Sequence, residues 1–339
     1  MREGAANPAF RTLRIAADAI LALLALLVLL PLAYLPWRLS RALGRGAGRL
    51  FLLFWPSARR VAALNLRRAY GESMTPSRAR RLTARCVASL GEAIAEAAQL
   101  FRLARGGGDP VRLFTIEDPA LAERLLSDPR PKVVVTGHLG SWEANGLVLS
   151  HVAGGGAAVY RRIENVFLDR LVARAREAFG GRGIEKRGAA REALAELRAG
   201  RSVLFLGDEN AGYRGLFVDF FGRPASTSRT PALLSAMTGA PLVVTASVRR
   251  PGPVPFLFRL ASFEPPSGRR ATPEDVRDLT ARAAATWERW VREDPEQWRW
   301  VHWRWKTRPD GTEETYRAAD VRAAFAETTP PVALGEEPA

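Results

Sequence analysis

The feature that most constrains this chain is an unbroken apolar run near its N-terminus. Residues 15–35 read IAADAILALLALLVLLPLAYL, and as a helix they would measure roughly 31 Å, which matches the hydrocarbon core of a bilayer. Trp37 and arginines at positions 38, 41, 45 and 49 follow the run, a flank typical of the membrane interface. The sequence therefore predicts an N-terminal lead at 1–14 and a transmembrane anchor at 15–36.

Two expectations about location follow from this flank. Because arginine is denser after the run than before it, the large C-terminal part should lie in the cytoplasm, which predicts a single-pass protein of the inner membrane. A cleaved signal peptide is the rival interpretation, since Arg11 and Arg14 precede the run. No convincing small-residue cleavage site follows, which disfavours cleavage.

Composition allows one sizeable domain beyond the anchor. The 339 residues are 47% hydrophobic, enough to fill a catalytic core. The net charge of +15 favours anionic partners, namely phospholipid headgroups, an acidic carrier protein or nucleic acid, and charge alone does not choose among them. The single cysteine, Cys86, cannot form an internal disulfide, and we expect it to be a small buried apolar residue.

The pattern along the chain changes from basic helices to an α/β alternation. Residues 37–105 carry apolar positions at helical spacing among many arginines, with Thr75-Pro76 as a helix start, and such helices suit an anionic membrane leaflet. Beyond Pro131, short β-branched runs predict strands at 132–136, 157–161, 202–206, 216–220, 241–248 and 256–263. Helical patterns occupy 142–152, 165–179, 189–199, 230–238 and 273–293. We therefore predict an α/β domain at 106–310, a mixed sheet flanked by helices, and a partly disordered extension at 311–339.

The run KVVVTGHLGSWEANG holds the best candidates for chemistry. It places His138 just after a buried strand, with Ser141 as an N-cap for the next helix, and ligands of α/β folds gather beyond the carboxyl ends of strands. Glu143 would reach the imidazole only if Gly137 and Gly140 allowed a turn between them. Once paired, it would fix the tautomer of His138 and stabilise the imidazolium formed when His138 takes a proton from a hydroxyl.

Other chemistries fit the sequence less well. A zinc site needs more ligands than three histidines and one cysteine readily supply, so no metal is expected. A serine-hydrolase elbow needs Gly-x-Ser-x-Gly, whereas Ser141 lies in LGSWE. The glycines at 154–156 lack a nucleotide-binding motif and predict a connector. A structural role for His138 in the strand-to-helix turn remains the alternative to catalysis.

Five sequence blocks in order resemble the lipid A biosynthesis acyltransferases, the lauroyl and myristoyl transferases within the lysophospholipid acyltransferase superfamily. The blocks are HLGSWE at 138–143, VYRRIENVFLDRLVARAREAFG at 159–180, LFLGDEN at 204–210, FVDFFGRPASTSRTPALLSAMTGAPLV at 217–243 and PEQWRWVHWRWKTRP at 295–309. The resemblance implies a glycerolipid-acyltransferase-like fold, catalysis by His138 and Glu143, acyl carrier protein as donor and a lipid A precursor as acceptor. No cofactor is implied, because the donor thioester is already activated.

The resemblance also suggests binding residues. Arg161 and Arg176 suit phosphate on the acceptor or the carrier. Asp208 matches an acidic residue linked to the acceptor. The block of Phe220, Phe221 and Gly222 is expected to shape the acyl or acceptor groove or, alternatively, to pack in the core. Glu209 departs from the family, whose block more usually reads Asp-Gln.

Six tryptophans at 287, 290, 298, 300, 303 and 305 suit either a membrane interface or the core.

Two rival functions remain open from the sequence. The same chemistry on another glycolipid or phospholipid, such as an inositol-mannoside lipid, is the nearer one. A non-catalytic, basic membrane-binding protein is the other. The anchor and the resemblance together disfavour nucleic-acid binding, and we expect a monomer.

Overall fold

The computed structural model describes residues 8–106, 108–146, 156–177, 181–186, 188–252, 254–267 and 270–326. The expected loose tail at 328–339 and the second half of the predicted helix 142–152 lie outside the described residues.

Four helices form the N-terminal part: α1 (Pro8–Tyr34), α2 (Trp37–Leu53), α3 (Pro56–Tyr70) and α4 (Pro76–Arg105). Within α1, Thr12–Tyr34 has a mean hydropathy of 2.6 and only 6% of its most apolar window is buried, so among the described residues it is the one helix long and apolar enough to cross a membrane. As predicted, α4 begins at Thr75-Pro76, where the Thr75 hydroxyl accepts the Arg78 N–H at 3.2 Å.

The basic helix α2 is docked on α4 by glycines and charge. Gly44 and Gly48 of α2 face Gly91 of α4 so closely that a Cβ on any of the three would overlap backbone atoms of the other helix. Arg41 reinforces this contact through Glu92, with Nε and Oε1 2.6 Å apart. Part of the basic surface expected at 37–105 is therefore used within the fold.

The predicted mixed sheet is confirmed. Its strands are β1 (Phe114–Ile116), β2 (Val133–Gly140), β3 (Gly156–Tyr160), β4 (Gly181–Glu185), β5 (Ser202–Leu206), β8 (Leu242–Arg249) and β9 (Phe256–Phe263), in the order β1-β9-β8-β2-β5-β3-β4. Within this sheet, the described pairings are parallel except that of β8 with β9, which is antiparallel. β6 (Leu216–Phe220) and β7 (Arg223–Thr227) form a separate hairpin.

Helices flank these strands: α5 (Pro119–Ser127), α6 (Val166–Glu177), α7 (Ala189–Arg198), α8 (Thr230–Thr238) and α9 (Pro273–Glu293). Residues 142–146 are also helical, and α10 (Ala318–Ala326) lies on α3. The main core joins the sheet to α9 and to the tryptophan-rich segment. Five of the six tryptophans are buried and only Trp303, at 47% exposure, faces solvent, so core packing prevails over a tryptophan-rich membrane surface. Cys86 is buried, as expected.

The described part of the predicted extension, residues 311–326, packs on the N-terminal helices. Its helix α10 lies on α3, where Arg67 Nε donates to the Ala324 carbonyl at 2.8 Å. Glu314 accepts from Arg68 Nη2 at 2.7 Å, and the Tyr316 hydroxyl donates to Asn65 Oδ1 at 3.1 Å. The C-terminal chain therefore completes the helical layer.

Candidate active site

His138 lies near the carboxyl end of β2, a strand whose residues are all buried. β5 runs parallel to β2 with Thr136 opposite Leu206. Asp208 comes two residues after β5, as His138 comes two residues after Thr136. Because parallel strands end at the same edge of a sheet, this register brings Asp208 beside His138.

Asp208 holds His138 at two points. Its Oδ1 lies 2.9 Å from the ring Nδ1, and its Oδ2 accepts the backbone N–H of His138 at 2.7 Å. The Trp298 indole N–H donates to the same Oδ2 at 2.9 Å. Gly137 makes room for this contact, since a Cβ there would lie 2.8 Å from Asp208 Cγ.

Electrostatics keep Asp208 ionised although it is only 4% exposed. Burial acts to raise the pKa of this carboxyl, but the charge of His138 and hydrogen bonds from its ring and backbone lower the pKa well below its ordinary value. An ionised Asp208 accepts the proton on Nδ1, which leaves Nε2 of a neutral His138 as a free base. The ring is 8% exposed, and Trp142 lies beside it with ring centroids 5.6 Å apart.

The expected pairing of Glu143 with His138 is not what the structure shows. Glu143 instead forms two hydrogen bonds with Arg176, at 2.5 Å from Nη2 and 3.2 Å from Nε. β2 continues to Gly140, with a shift of register against β8 between Thr136 and Gly140 and a φ of 70° at Gly140. This irregular strand end does not bring Glu143 to the imidazole. Ser141 does not cap the next helix either, since its buried hydroxyl has no hydrogen-bond partner among the described residues.

Arg176 is fixed by this contact. Burial works against its charged form, but the hydrogen bonds and charge of Glu143 outweigh burial and raise the pKa of the guanidinium. The guanidinium also lies 5.7 Å from the centroid of the Tyr160 ring. The pair therefore keeps a positive charge at a defined place, with 30% of the Arg176 side chain exposed.

A cavity of about 310 Å³ lies beside the Glu143–Arg176 pair. It is lined by β3, by parts of β2, β4 and β5, and by the last turns of α6. Most of its lining is apolar, with Val134, Val159, Leu204 and Leu206 among the side chains. A hydrocarbon chain is the kind of ligand that such a lining suits.

The remaining predicted binding residues lie in two other places. Arg161 is exposed immediately after β3. Phe220 and Phe221 are buried in the main core and are not part of the cavity lining. Phe221 and Gly222 form the tip of the β6–β7 hairpin with φ of 59° and 70°, a conformation that a glycine adopts without strain.

Phe220 contacts the site indirectly, through Trp298. Its ring packs against Trp298, the Asp208 partner, with centroids 5.5 Å apart. Of the two roles that the sequence left open for this block, core packing is the one that the structure displays.

A second charged group faces His138, and the sequence did not assign it a role. Glu209 Oε1 lies 3.9 Å from His138 Nε2 and forms an ion pair with Arg299. His302 Nδ1 lies 4.0 Å from the same oxygen. Glu209 directly follows Asp208, but its partners are about ninety residues away in the chain, which sequence spacing does not reveal.

Comparison with known proteins decides the family. A family model described as bacterial lipid A biosynthesis acyltransferase matches residues 7–307. The chain belongs to this family. It is 27% identical over 206 residues to the lipid A biosynthesis palmitoleoyltransferase of Escherichia coli (strain K12) and, equally, to a lipid A biosynthesis acyltransferase of Shigella flexneri. Each match covers 60% of this chain and 65% of the relative.

Family membership agrees with the site's position. The family match includes His138, Asp208 and the Glu143–Arg176 pair, and it also includes α1. The pairing of His138 with Asp208 and of Glu143 with Arg176 is observed in the structure of this chain and does not come from the family match.

Proposed function

We propose that this protein transfers a fatty acyl chain from an acyl carrier protein thioester to a hydroxyl of a lipid A precursor. The observation that carries the proposal is His138, held by the buried Asp208 with Nε2 left free, in a chain of the lipid A acyltransferase family. A histidine oriented by a carboxylate is the arrangement that general-base catalysis of acyl transfer uses.

In the proposed reaction, His138 Nε2 removes the proton of the acceptor hydroxyl. The oxygen attacks the thioester carbonyl carbon, so that a C–O bond forms and the C–S bond breaks. The imidazolium then returns its proton to the leaving thiolate. Asp208 stabilises the imidazolium between these steps through Nδ1–H. Because the thioester supplies the activation, the reaction requires no cofactor.

Glu143 then acts through Arg176 instead of through His138. We place the acyl chain in the apolar cavity and the Arg176 guanidinium at its polar side, where it can pair with phosphate of the acceptor or the carrier. Arg161, exposed beyond β3, can add to the same positive field. Glu143 is in this view a positioning residue that sets where Arg176 presents its charge.

The membrane and the donor complete the proposal. α1 anchors the protein in the inner membrane as a single span, with the catalytic domain on the cytoplasmic side, where exposed arginines of α2, among them Arg38 and Arg49, face an anionic leaflet. The net charge of +15 favours encounter with an acidic carrier protein. We expect one protomer to be sufficient for activity.

The direct test uses purified full-length protein in detergent with a lipid A precursor as acceptor. The acyl donor is either the acyl carrier protein thioester or the acyl-coenzyme A thioester. Mass spectrometry should show one added acyl chain, faster from the carrier thioester, with an advantage that shrinks as salt rises. No acylated lipid from either donor would contradict the proposal. If only an inositol-mannoside lipid were acylated, the proposed acceptor would be wrong, whereas the proposed acyl transfer chemistry would stand.

A further inference from the structure

The two ring nitrogens of His138 face two different carboxylates. Nδ1 contacts Asp208 at 2.9 Å, whereas Nε2 lies 3.9 Å from Oε1 of Glu209. The second distance is too long for a hydrogen bond, but it is short for a Coulomb interaction at a partly buried site. Glu209 therefore influences the ring by its charge without occupying the nitrogen that the acceptor must reach.

Arg299 holds Glu209 in this position. Its Nη2 contacts Glu209 Oε1, the same oxygen that faces His138, and both side chains are about one-third exposed or less. Burial raises the pKa of Glu209, but its charged neighbours, with Arg299 the largest contributor, outweigh burial and lower the pKa. Glu209 is thus an anion close to His138, and the positive charge of Arg299 reduces the electrostatic effect of Glu209 on the ring.

His302 adds little charge to this group. Its Nε2 accepts the backbone N–H of Asn210 at 3.0 Å, which requires that nitrogen to be unprotonated. Burial is the main cause that lowers the pKa of His302 to about 4. His302 is consequently neutral near pH 7 and fixes the loop that carries Glu209.

We propose that Glu209 and Arg299 form a charge pair that sets the proton affinity of His138, with Glu209 stabilising the imidazolium from the Nε2 side and Arg299 limiting that effect. The proposal rests on the proposed function for its catalytic meaning. In the reaction, the proton of the acceptor hydroxyl resides on Nε2 until the thiolate leaves, and this is the form of the ring that Glu209 favours. Glu209 is a positioning residue, since it acts on the substrate only through His138.

Other charged groups on the elements around this strand end are engaged elsewhere. Glu143 and Arg176 pair with each other. Arg304 donates to the Ser226 carbonyl and to Thr227 Oγ1 at 2.6 and 2.7 Å, and Arg249 pairs with Glu96. These groups stay constant when only Glu209 or Arg299 is changed, so the two substitutions isolate the charge pair.

The proposal predicts opposite signs for two neutral substitutions. Glu209→Gln removes the anion and should lower the proton affinity of His138. Arg299→Gln leaves the anion without its cation and should raise that affinity. A purely structural ion pair would give the same direction, or none, for both variants. Glu313→Gln is a matched control, because Glu313 pairs with Lys306 at 3.1 Å on the same C-terminal segment.

The experiment titrates the histidine rings by NMR in full-length protein labelled with ¹³C-histidine and held in detergent. The chain contains three histidines, so each signal is assigned from one His→Gln variant. We expect the titration midpoint of His138 to move by about half a pH unit or more, or about threefold in proton affinity. It should move down in Glu209→Gln, up in Arg299→Gln and not at all in Glu313→Gln. Movement in one direction for both site variants, or in neither, overturns the proposal.

The pH dependence of transfer in the same variants separates this inference from the proposed function. If the acidic limb of the rate follows the ring titration, His138 is the base and Glu209 tunes it. If the ring midpoints move as expected while the acidic limb stays in place, the charge pair is upheld. In that case, His138 is not the base and the proposed mechanism fails.

Discussion

Asp208 binds His138 through both of its carboxylate oxygens, one to the ring at 2.9 Å and one to the backbone N–H at 2.7 Å. The two contacts fix the ring relative to the strand that carries it. A side chain held in this way has little rotational freedom left to lose when substrate binds. The tautomer and the direction of Nε2 are therefore set before the acceptor arrives.

Replacing this carboxylate by an amide should cost activity more than stability. Asp208→Asn keeps the size of the side chain but removes the charge that stabilises the imidazolium, and we expect turnover to fall at least ~10²-fold. The melting temperature, followed by tryptophan fluorescence, checks that the fold survives. Asp278→Asn, on an exposed carboxylate of α9, is the matched control. Equal activity of the two variants would show that Asp208 is not part of the catalytic unit.

Glu143 and Arg176 should behave as a coupled pair. A double-mutant cycle on kcat/KM with Glu143→Gln and Arg176→Gln is expected to give a coupling energy of about 1 kcal/mol or more, because the two side chains share two hydrogen bonds. A parallel cycle of Glu143→Gln with Arg161→Gln should be nearly additive. Full additivity in the first cycle would mean that Glu143 does not act through Arg176.

His302 should make the fold sensitive to mild acid. Burial lowers the pKa of His302 from 6.5 to about 4. Between these two pH values, His302 is protonated in the unfolded chain but neutral in the folded chain. Stability is then lost as the pH falls from 6.5 towards 4, by about 3 kcal/mol for this group. His302→Gln keeps an acceptor for Asn210 but cannot titrate. Its melting temperature should fall less than that of the wild type over this range, and parallel curves would contradict the assignment.

The membrane anchor can be tested by extraction. Full-length protein should stay with membranes through a high-salt wash, because insertion of α1 depends on its apolar surface. A variant lacking residues 1–36 should bind weakly through α2, whose exposed Leu43 and Phe51 lie on a basic helix, and salt should release it. Recovery of the full-length protein in the soluble fraction without detergent would exclude the anchor.

Much of this fold was readable from the sequence. All six predicted strands exist, and 202–206, 216–220 and 256–263 have the predicted bounds, because β-branched runs between turns are a strong local signal. β1, β4 and β7 were missed. Their sequences, FTI, GRGIE and RPAST, are short or carry glycine and proline, and they become strands only because a neighbour pairs with them.

The site was predictable in its residue types but not in its pairings. His138 and Asp208 were singled out, yet their contact depends on the register of β2 against β5, a long-range property. The closeness of Glu143 in sequence favoured the wrong partner for the imidazole. Trp298, Arg299 and His302 reach the site from a segment beyond α9, and no local pattern places them there.

The most direct measurement is the turnover of His138→Ala in full-length protein, with the acyl carrier protein thioester and a lipid A precursor as substrates. We predict a loss of at least ~10²-fold in transfer rate, with unchanged donor binding in protein that still melts cooperatively, because the variant lacks the proposed base while Asp208 keeps its contacts with the backbone N–H of residue 138 and with Trp298. Near-normal transfer by a folded His138→Ala variant would contradict the account and leave the acyl transfer without its base.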